Sequence, residues 1–344
     1  MIEANAHRAH SAPSINSRAE SMSRLIGILF LIGFVISNAQ RASPRAELWA
    51  FTGPWDPRSD SSLRANAARM DVAVTGWIGL DSNTALPIQP PLFRDTIHLR
   101  SGVRRMAIVT SWHGDRFHPS SIRLLARDAA RLARAAGAIA AQAASMRYAG
   151  LVLDFEGLER ADIGALTRVV KAIADSARAR GTPTIVVAIP AADTAAYPAR
   201  PITEVADFIL PMLYDQHWST SGPGPISEPD WVRSVLALRI AEVGASRIVA
   251  ALPTYGYRWR SAPPAEVVSF TDAQRIAAQS GAPLARDARS NTLRAARPGE
   301  WEIWVTDAEL LSTLWRQTAD AGVRRIALWR IGQEDPGIWR ALGR

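Results

Sequence analysis

Cysteine is absent from this chain of 344 residues, and lysine occurs only once, as Lys171. Without cysteine the chain can form neither a disulfide framework, nor a thiolate metal site, nor a cysteine nucleophile. The six histidines show no H-x-E-H spacing, so the sequence predicts no metal centre and no cofactor. Low-complexity tracts are also lacking, and a hydrophobic fraction of 48% is enough for one large core or two small ones.

The positive charge is carried almost entirely by arginine, with a formal net charge of +8. The arginines are scattered along the chain, and no basic run is interleaved with aromatic residues as a nucleic-acid groove requires. We therefore predict no nucleic-acid partner. A polyanionic cell wall is easier to reconcile with diffuse positive charge.

The longest apolar run lies near the amino terminus. Residues 25–36, LIGILFLIGFVI, follow Arg24 and lead into Ser37, Asn38 and Ala39, a pattern typical of a secretory signal. The run is shorter than the roughly 20 residues that span a bilayer as a helix, so a retained anchor is the alternative. We assign residues 1–39 to a signal peptide and leader. The mature protein is expected to be a monomer without a stable membrane span, secreted or located in the periplasm or cell envelope.

From Glu47 onward, short apolar runs alternate with Ala/Arg/Leu-rich stretches of helical period. Eight strands are predicted, at residues 48–51, 72–78, 105–110, 150–155, 185–189, 208–213, 248–253 and 325–329. Helices are predicted at residues 120–145, 163–180, 229–243 and 307–321, the last capped by Asp307.

This order of elements favours a (β/α)₈ TIM barrel over residues 40–344. A doubly wound sheet, the alternative, usually has about five or six strands and a Gly-rich phosphate turn, which does not follow the first strand here. Residues 262–304 interrupt the alternation of strands and helices and contain Pro263, Pro264 and Pro283. We interpret this segment as a small insertion after the seventh strand.

Two carboxylates end the fourth predicted strand, in the stretch YAGLVLDFEGL at residues 148–158. Asp154 and Glu156 are two positions apart, so both face the same side, about 7 Å from each other along the strand. Their repulsion would raise one pKa, and a carboxyl that stays neutral can act as a general acid. The alternative is a helix-capping Asp154 and a solvated Glu156. The sixth strand, FILPMLYDQHW, brings Tyr214 and Asp215 to the same rim, unless Tyr214 only packs there.

These motifs carry a family resemblance. GLVLDFE resembles the DGxDxDxE signature of the family 18 glycoside hydrolases, which are chitinase-like, and MLYDQHW resembles their MxYD motif. The resemblance extends from Phe51 to Trp339 through ALPTYGYRW and GIWRAL, and is strongest to the spore-cortex and cell-wall lytic branch.

The resemblance implies roles for individual residues. Glu156 would be the general acid and base, with Asp154 beside it, and Tyr214 would hold the acetamido group of the substrate. Residues assigned to substrate binding are Asp215, Met212, Trp329, Tyr255 and Phe51. Two positions depart from the signature, because its first Asp falls on Ala149 and its middle Asp on Val152. The loss at Val152 removes a partner of Asp154.

The implied activity is a retaining, substrate-assisted hydrolysis of β-1,4-linked N-acetylglucosamine glycans, in peptidoglycan or chitin, without a metal. A non-catalytic, lectin-like barrel is the alternative, motivated by Ala149 and Val152. Among the tryptophans, those predicted near a glycan groove are Trp55, Trp77, Trp112, Trp218 and Trp259, and those assigned to packing are Trp49, Trp231, Trp301, Trp304 and Trp315.

Overall fold

The computed structural model describes residues 45–88, 99 and 102–344. Residues from Pro44 to the end cluster as one compact unit. The predicted signal peptide and leader, residues 1–39, lie outside the described residues. Within the described part of the chain, no helix is both long and apolar enough to cross a membrane.

Eight parallel strands close into a barrel, which confirms the predicted fold. Each strand pairs with the next along the chain, and the eighth pairs with the first. The pairing is parallel throughout the ring because a helix or a long connection separates consecutive strands. The strands are β1 (Glu47–Phe51), β2 (Val72–Leu80), β3 (Arg104–Thr110), β4 (Gly150–Asp154), β5 (Thr184–Pro190), β6 (Phe208–Met212), β7 (Ala250–Pro253) and β8 (Arg325–Trp329).

The described part of the chain contains nine α-helices, and all of them except the seventh pack against the outside of the ring. They are α1 (Pro57–Asn66), α2 (Pro119–Arg127), α3 (Ala129–Ser145), α4 (Ile163–Arg178), α5 (Ala199–Thr203), α6 (Pro229–Val243), α7 (Phe270–Gln279), α8 (Ala308–Asp320) and α9 (Ile338–Ala341). Asp307 caps α8 as predicted, since its side chain accepts a hydrogen bond from the Leu310 amide.

The single helix predicted over residues 120–145 is wrong, because two helices meet at Asp128. Asp128 has extended backbone angles, and its carboxylate accepts a hydrogen bond from the Arg131 amide at 2.9 Å. An aspartate that caps a helix in this way satisfies an otherwise unpaired amide, and so begins a new helix within a continuous helical pattern.

Side chains alternate between two apolar cores along each strand. On β4, Leu151 and Leu153 pack against the helices, whereas Val152 lies in the barrel lumen. A period of two residues places Asp154 on the same lumenal side as Val152, at the carboxyl end of the strand. The alternation therefore directs the first carboxylate into the mouth of the barrel.

A five-stranded antiparallel sheet lies between β7 and β8 in the sequence. Its strands are Gly256–Arg260, Glu266–Val268, Ala285–Arg286, Leu293–Arg297 and Trp301–Val305, and α7 belongs to the same segment. The stretch predicted as an insertion, residues 262–304, falls within this segment. The first strand begins three residues after β7, so it carries Tyr257 close to the mouth of the barrel.

Candidate active site

A cavity of about 510 Å³ opens at the carboxyl ends of the barrel strands. Seven of the eight residues predicted to form the site line this cavity, namely Phe51, Asp154, Glu156, Met212, Tyr214, Asp215 and Trp329. The eighth, Tyr255, is buried behind the wall and reaches the cavity through Asp215. Residues far apart in the sequence thus converge because all of them end or follow a barrel strand.

Asp154 is buried, and its surroundings differ between its two oxygens. Its Oδ2 accepts a hydrogen bond from the Thr110 hydroxyl at 3.2 Å, across the register of β3 and β4. Its Oδ1 accepts no hydrogen bond from an amide or hydroxyl group in the part of the chain that the structure describes, and the protonated carboxyl of Glu156 is the neighbour that donates to Asp154. Val152, the preceding residue on the lumenal side, offers only methyl groups. Because Val152 stands where the family 18 signature has its middle Asp, Asp154 Oδ1 can accept a hydrogen bond from a donor on a ligand.

Glu156 follows β4 on a tight turn, in which Gly157 has a φ of +74°. Burial raises the pKa of Glu156 well above its usual value, and the negative charges of Asp154 and Asp215 raise it further. Burial also raises the pKa of Asp154 to about 7, while hydrogen bonds from Thr110 and Glu156 oppose that shift. The pair therefore holds a proton at a pH where an exposed carboxyl group is ionised.

Three tyrosines surround Asp215. The Tyr255 hydroxyl donates a hydrogen bond to Asp215 Oδ1 at 2.5 Å, and the Tyr257 hydroxyl approaches the same oxygen at 3.3 Å. The ring of Tyr214 packs edge-on against that of Tyr255, with centroids 6.1 Å apart. Asp215 has a φ of +58°, a left-handed conformation that Asp tolerates better than most residues. The phenols thus fix a carboxylate opposite Glu156.

Among the residues that the structure describes, four acidic ones and no basic one line the cavity. The fourth, Asp193, lies in the connection after β5 and was not among the predicted site residues. Its Oδ1 accepts hydrogen bonds from the amides of Ala195 and Ala196, so the carboxylate also stabilises its own turn. This negative interior contrasts with the positive charge of the whole chain.

A second cavity, of about 450 Å³, adjoins the first and shares Asp154 and Trp329 with it. Its other lining residues are Trp55, Trp77, Trp112 and Phe117. Trp55 and Trp77 pack edge-to-face, with ring centroids 5.0 Å apart, and the guanidinium of Arg330 lies 5.3 Å from the centre of the Trp55 ring. The acid pair therefore lies between two cavities, one acidic and one aromatic.

The tryptophan predictions have mixed outcomes. Trp218 lines the acidic cavity, whereas Trp259 is buried and donates its indole N–H to the Ser221 carbonyl, away from both cavities. Trp231, assigned to packing, in fact lines the acidic cavity at the start of α6. A tryptophan at the start of a helix gives no local sign of which side it faces. Within the described ranges, no group of three or more His, Cys, Asp or Glu residues is arranged to hold a metal ion.

The raised pKa values predict a pH-dependent stability. The folded state binds more protons than the unfolded state between the ordinary carboxyl pKa of about 4 and the raised values, so the free energy of unfolding falls as pH rises through this window. In thermal unfolding at about pH 5 to 8, we expect Glu156→Gln to gain stability over the wild type with increasing pH. The gain should increase continuously over this range and be absent below about pH 4, where Glu156 is protonated in both the folded and the unfolded state.

Glu204→Gln is the matched control for this experiment, because Glu204 is exposed on the outside of the barrel. Its unfolding curve should follow that of the wild type at every pH. A constant difference between Glu156→Gln and the wild type would contradict the assigned shift.

Comparison with known proteins identifies relatives of this barrel. The "cortical fragment-lytic enzyme" of Bacillus subtilis is 24% identical over 253 residues, covering 69% of this chain and 59% of the relative. The chain matches between 49% and 60% of the length of the three Bacillus subtilis relatives. No protein-family model matches the chain.

Solved structures extend the comparison. The spore cortex-lytic enzyme SleL of Bacillus cereus has a TM-score of 0.75 at 19% identity, covering 87% of this chain and 74% of SleL. A class V chitinase of Pseudomonas fluorescens Pf-5 has a TM-score of 0.77 at 24% identity, covering 87% of this chain and 98% of the chitinase. The chain thus shares its barrel with spore cortex-lytic enzymes and class V chitinases, and the resemblance to the family 18 glycoside hydrolases that its motifs predict is confirmed.

Proposed function

We propose that this chain is an exported glycoside hydrolase that cleaves β-1,4-linked N-acetylglucosamine glycans, with peptidoglycan as the first candidate substrate and chitin as the second. The observation that carries the proposal is the meeting of Glu156, Asp154 and Tyr214 in one cavity beside Trp329. The flat apolar face of an indole suits the C–H face of a pyranose. The relatives named above are a cortical fragment-lytic enzyme, a spore cortex-lytic enzyme and a class V chitinase, and these names support the same class of substrate here.

The proposed reaction is retaining and substrate-assisted, without a covalent bond to the protein. Glu156 donates its proton to the glycosidic oxygen as the bond to the anomeric carbon breaks, and the carbonyl oxygen of the 2-acetamido group forms a bond to that carbon. As the proton of Glu156 moves to the leaving oxygen, Asp154 receives the acetamido N–H, and the Tyr214 hydroxyl orients the carbonyl. Glu156 then removes a proton from water, which attacks the same carbon and restores the acetamido group.

The charges of the two cavities suggest which sugar occupies which side. A neutral N-acetylglucosamine fits the acidic cavity, whereas a sugar with a lactyl carboxylate would be repelled by those of its carboxyl groups that are ionised, at most three while Glu156 holds its proton. The aromatic cavity carries only one of those acids, Asp154, and can receive the next sugar by stacking. This division favours cleavage on the reducing side of N-acetylglucosamine.

A lectin-like function is the second candidate, because Val152 removes a hydrogen-bond partner of Asp154 and changes the path of its proton. Such a protein would bind glycans through the same tryptophans and leave them intact. The proton held between Glu156 and Asp154 favours catalysis over binding alone.

Product analysis tests the proposal. We expect the mature protein to release fragments ending in reducing N-acetylglucosamine from peptidoglycan or chitooligosaccharides, detected by mass spectrometry. Trp329→Ala should weaken binding at least about tenfold in calorimetry, because the indole face is lost, whereas Trp301→Ala on the small sheet should not. Tight binding with intact oligosaccharide recovered from every substrate would instead favour the lectin.

A further inference from the structure

The turn that carries Glu156 is held by a tyrosine from another loop. Tyr197 is buried in the connection between β5 and α5. Its hydroxyl donates a hydrogen bond to the Phe155 carbonyl at 2.9 Å and accepts one from the Leu158 amide at 3.0 Å. One phenol oxygen thus ties together the residues on either side of Glu156 and Gly157.

Tyr197 is itself anchored from behind the barrel. The guanidinium of Arg239, on α6, is fully buried and donates to the carbonyl of Tyr197 at 2.8 Å. Its remaining hydrogen bonds go to three carbonyls of the same connection, Pro190, Ala191 and Asp193, and to the carboxylate of Glu242. Each of the five N–H groups of the Arg239 guanidinium therefore donates to one of these acceptors, and together these hydrogen bonds restrict the movement of the connection between β5 and α5.

This arrangement matters for the acid because Glu156 lies beyond the end of β4, where the ladder of strand hydrogen bonds has stopped. The position of its carboxyl group relative to Asp154 therefore depends on the turn. Burial raises the pKa of the Tyr197 phenol, and the nearby negative charges of Glu156 and Asp154 raise it further. Hydrogen bonds that fix the backbone on both sides of the acid limit its swing into the open cavity.

We infer that Tyr197 is a positioning residue for Glu156, whose hydroxyl holds the turn at residues 155–158 so that the acid stays against Asp154. This inference rests on the proposed function, in which Glu156 is the general acid. Tyr197 does not contact the substrate in this account, and it acts only through the backbone of the turn.

Tyr197→Phe tests the inference, since it removes one oxygen and retains the ring. We expect kcat to fall by about 10- to 100-fold, because a small displacement of a reacting group has effects of this size, with KM changed less than about twofold. The alkaline limb of the pH profile should move to lower pH, because a Glu156 that turns toward solvent loses the burial that raises its pKa. Hydrogen exchange at the Leu158 amide should accelerate at least about tenfold.

Tyr148→Phe is the matched control, because Tyr148 is equally buried but precedes β4 at the opposite end of the barrel. It should change the melting temperature without changing kcat or the pH profile. If Tyr197→Phe behaved like this control, with lower stability but unchanged kcat and pH limbs, Tyr197 would have only a structural role and the inference would be overturned.

The exchange measurement separates this inference from the proposed function. Unchanged exchange at Leu158 in Tyr197→Phe would overturn the tether itself, whatever the activity. A wild-type protein that cleaves no glycan would overturn the proposed function, and with it the role of the tether in positioning an acid, even where the exchange responds.

Discussion

Replacement of Glu156 by Gln is expected to lower the rate of glycan hydrolysis by about 10²- to 10⁴-fold, the usual contribution of a positioned general acid. Gln keeps the length and polarity of the side chain but cannot give up a proton to the leaving oxygen. Because the cavity, Trp329 and Tyr214 are unchanged, the variant should still bind oligosaccharides. The measurement is the release of reducing ends at equal protein concentration, with binding followed by calorimetry.

The control for this prediction is Glu204→Gln, on the outside of the barrel, which should hydrolyse glycans at the wild-type rate. If Glu156→Gln released reducing ends as fast as the wild type, the acid would be another group and the proposed mechanism would be wrong. If neither the wild type nor Glu156→Gln released reducing ends, the lectin-like alternative would gain support.

Replacement of Arg239 by Met is expected to lower the free energy of unfolding by about 3–5 kcal/mol, the size usual when one partner of a buried ionic group is removed. Met fills much of the space of the aliphatic stem, but it leaves four backbone carbonyls and the Glu242 carboxylate without their donor. Buried acceptors without partners each carry a desolvation cost. Denaturant unfolding followed by circular dichroism gives the difference.

Arg233→Met on the same helix is the matched control. Its side chain is 64% exposed and pairs with Asp230, one helical turn away, so its loss should change stability by less than about 1 kcal/mol. A loss of stability below about 1 kcal/mol in Arg239→Met would show that the connection after β5 is held by other contacts. Arg239→Lys should recover only part of the loss, because an ammonium cannot reach all five acceptors.

The eight strands and the three helices that begin near residues 163, 229 and 307 could be predicted from the sequence because their signal is local. The runs at residues 72–78 and 105–110 are apolar on both faces, as a buried parallel strand requires, and the structure places strands there with ends shifted by no more than two residues. The same reasoning placed Asp154 and Glu156 at the end of one apolar run. It also placed Tyr214 and Asp215 at the end of another. Because the strands form a closed parallel ring, their carboxyl ends lie at one rim, and these four side chains come together there.

Other features of the site could not be predicted, because they depend on contacts between distant residues. Asp193 and Trp231 gave no sign that they line the cavity, and the Trp259 indole turned out to be used for packing. The break at Asp128 was visible only as an aspartate within a helical pattern, and such a residue can equally be exposed in mid-helix.

The sequence alone determined that this chain forms a barrel with an acid pair and a tyrosine at one rim. The period of a strand and the position of its end depend on residues that are neighbours in the sequence. Only the tertiary structure decided how tightly the acid is held and how strongly it keeps its proton. Those properties come from the hydroxyl of Tyr197, 42 residues from Phe155, and from the burial of Asp154 and Glu156 among residues that are distant in the sequence. Burial and hydrogen bonding are sums over all neighbours in space, and no local pattern encodes them.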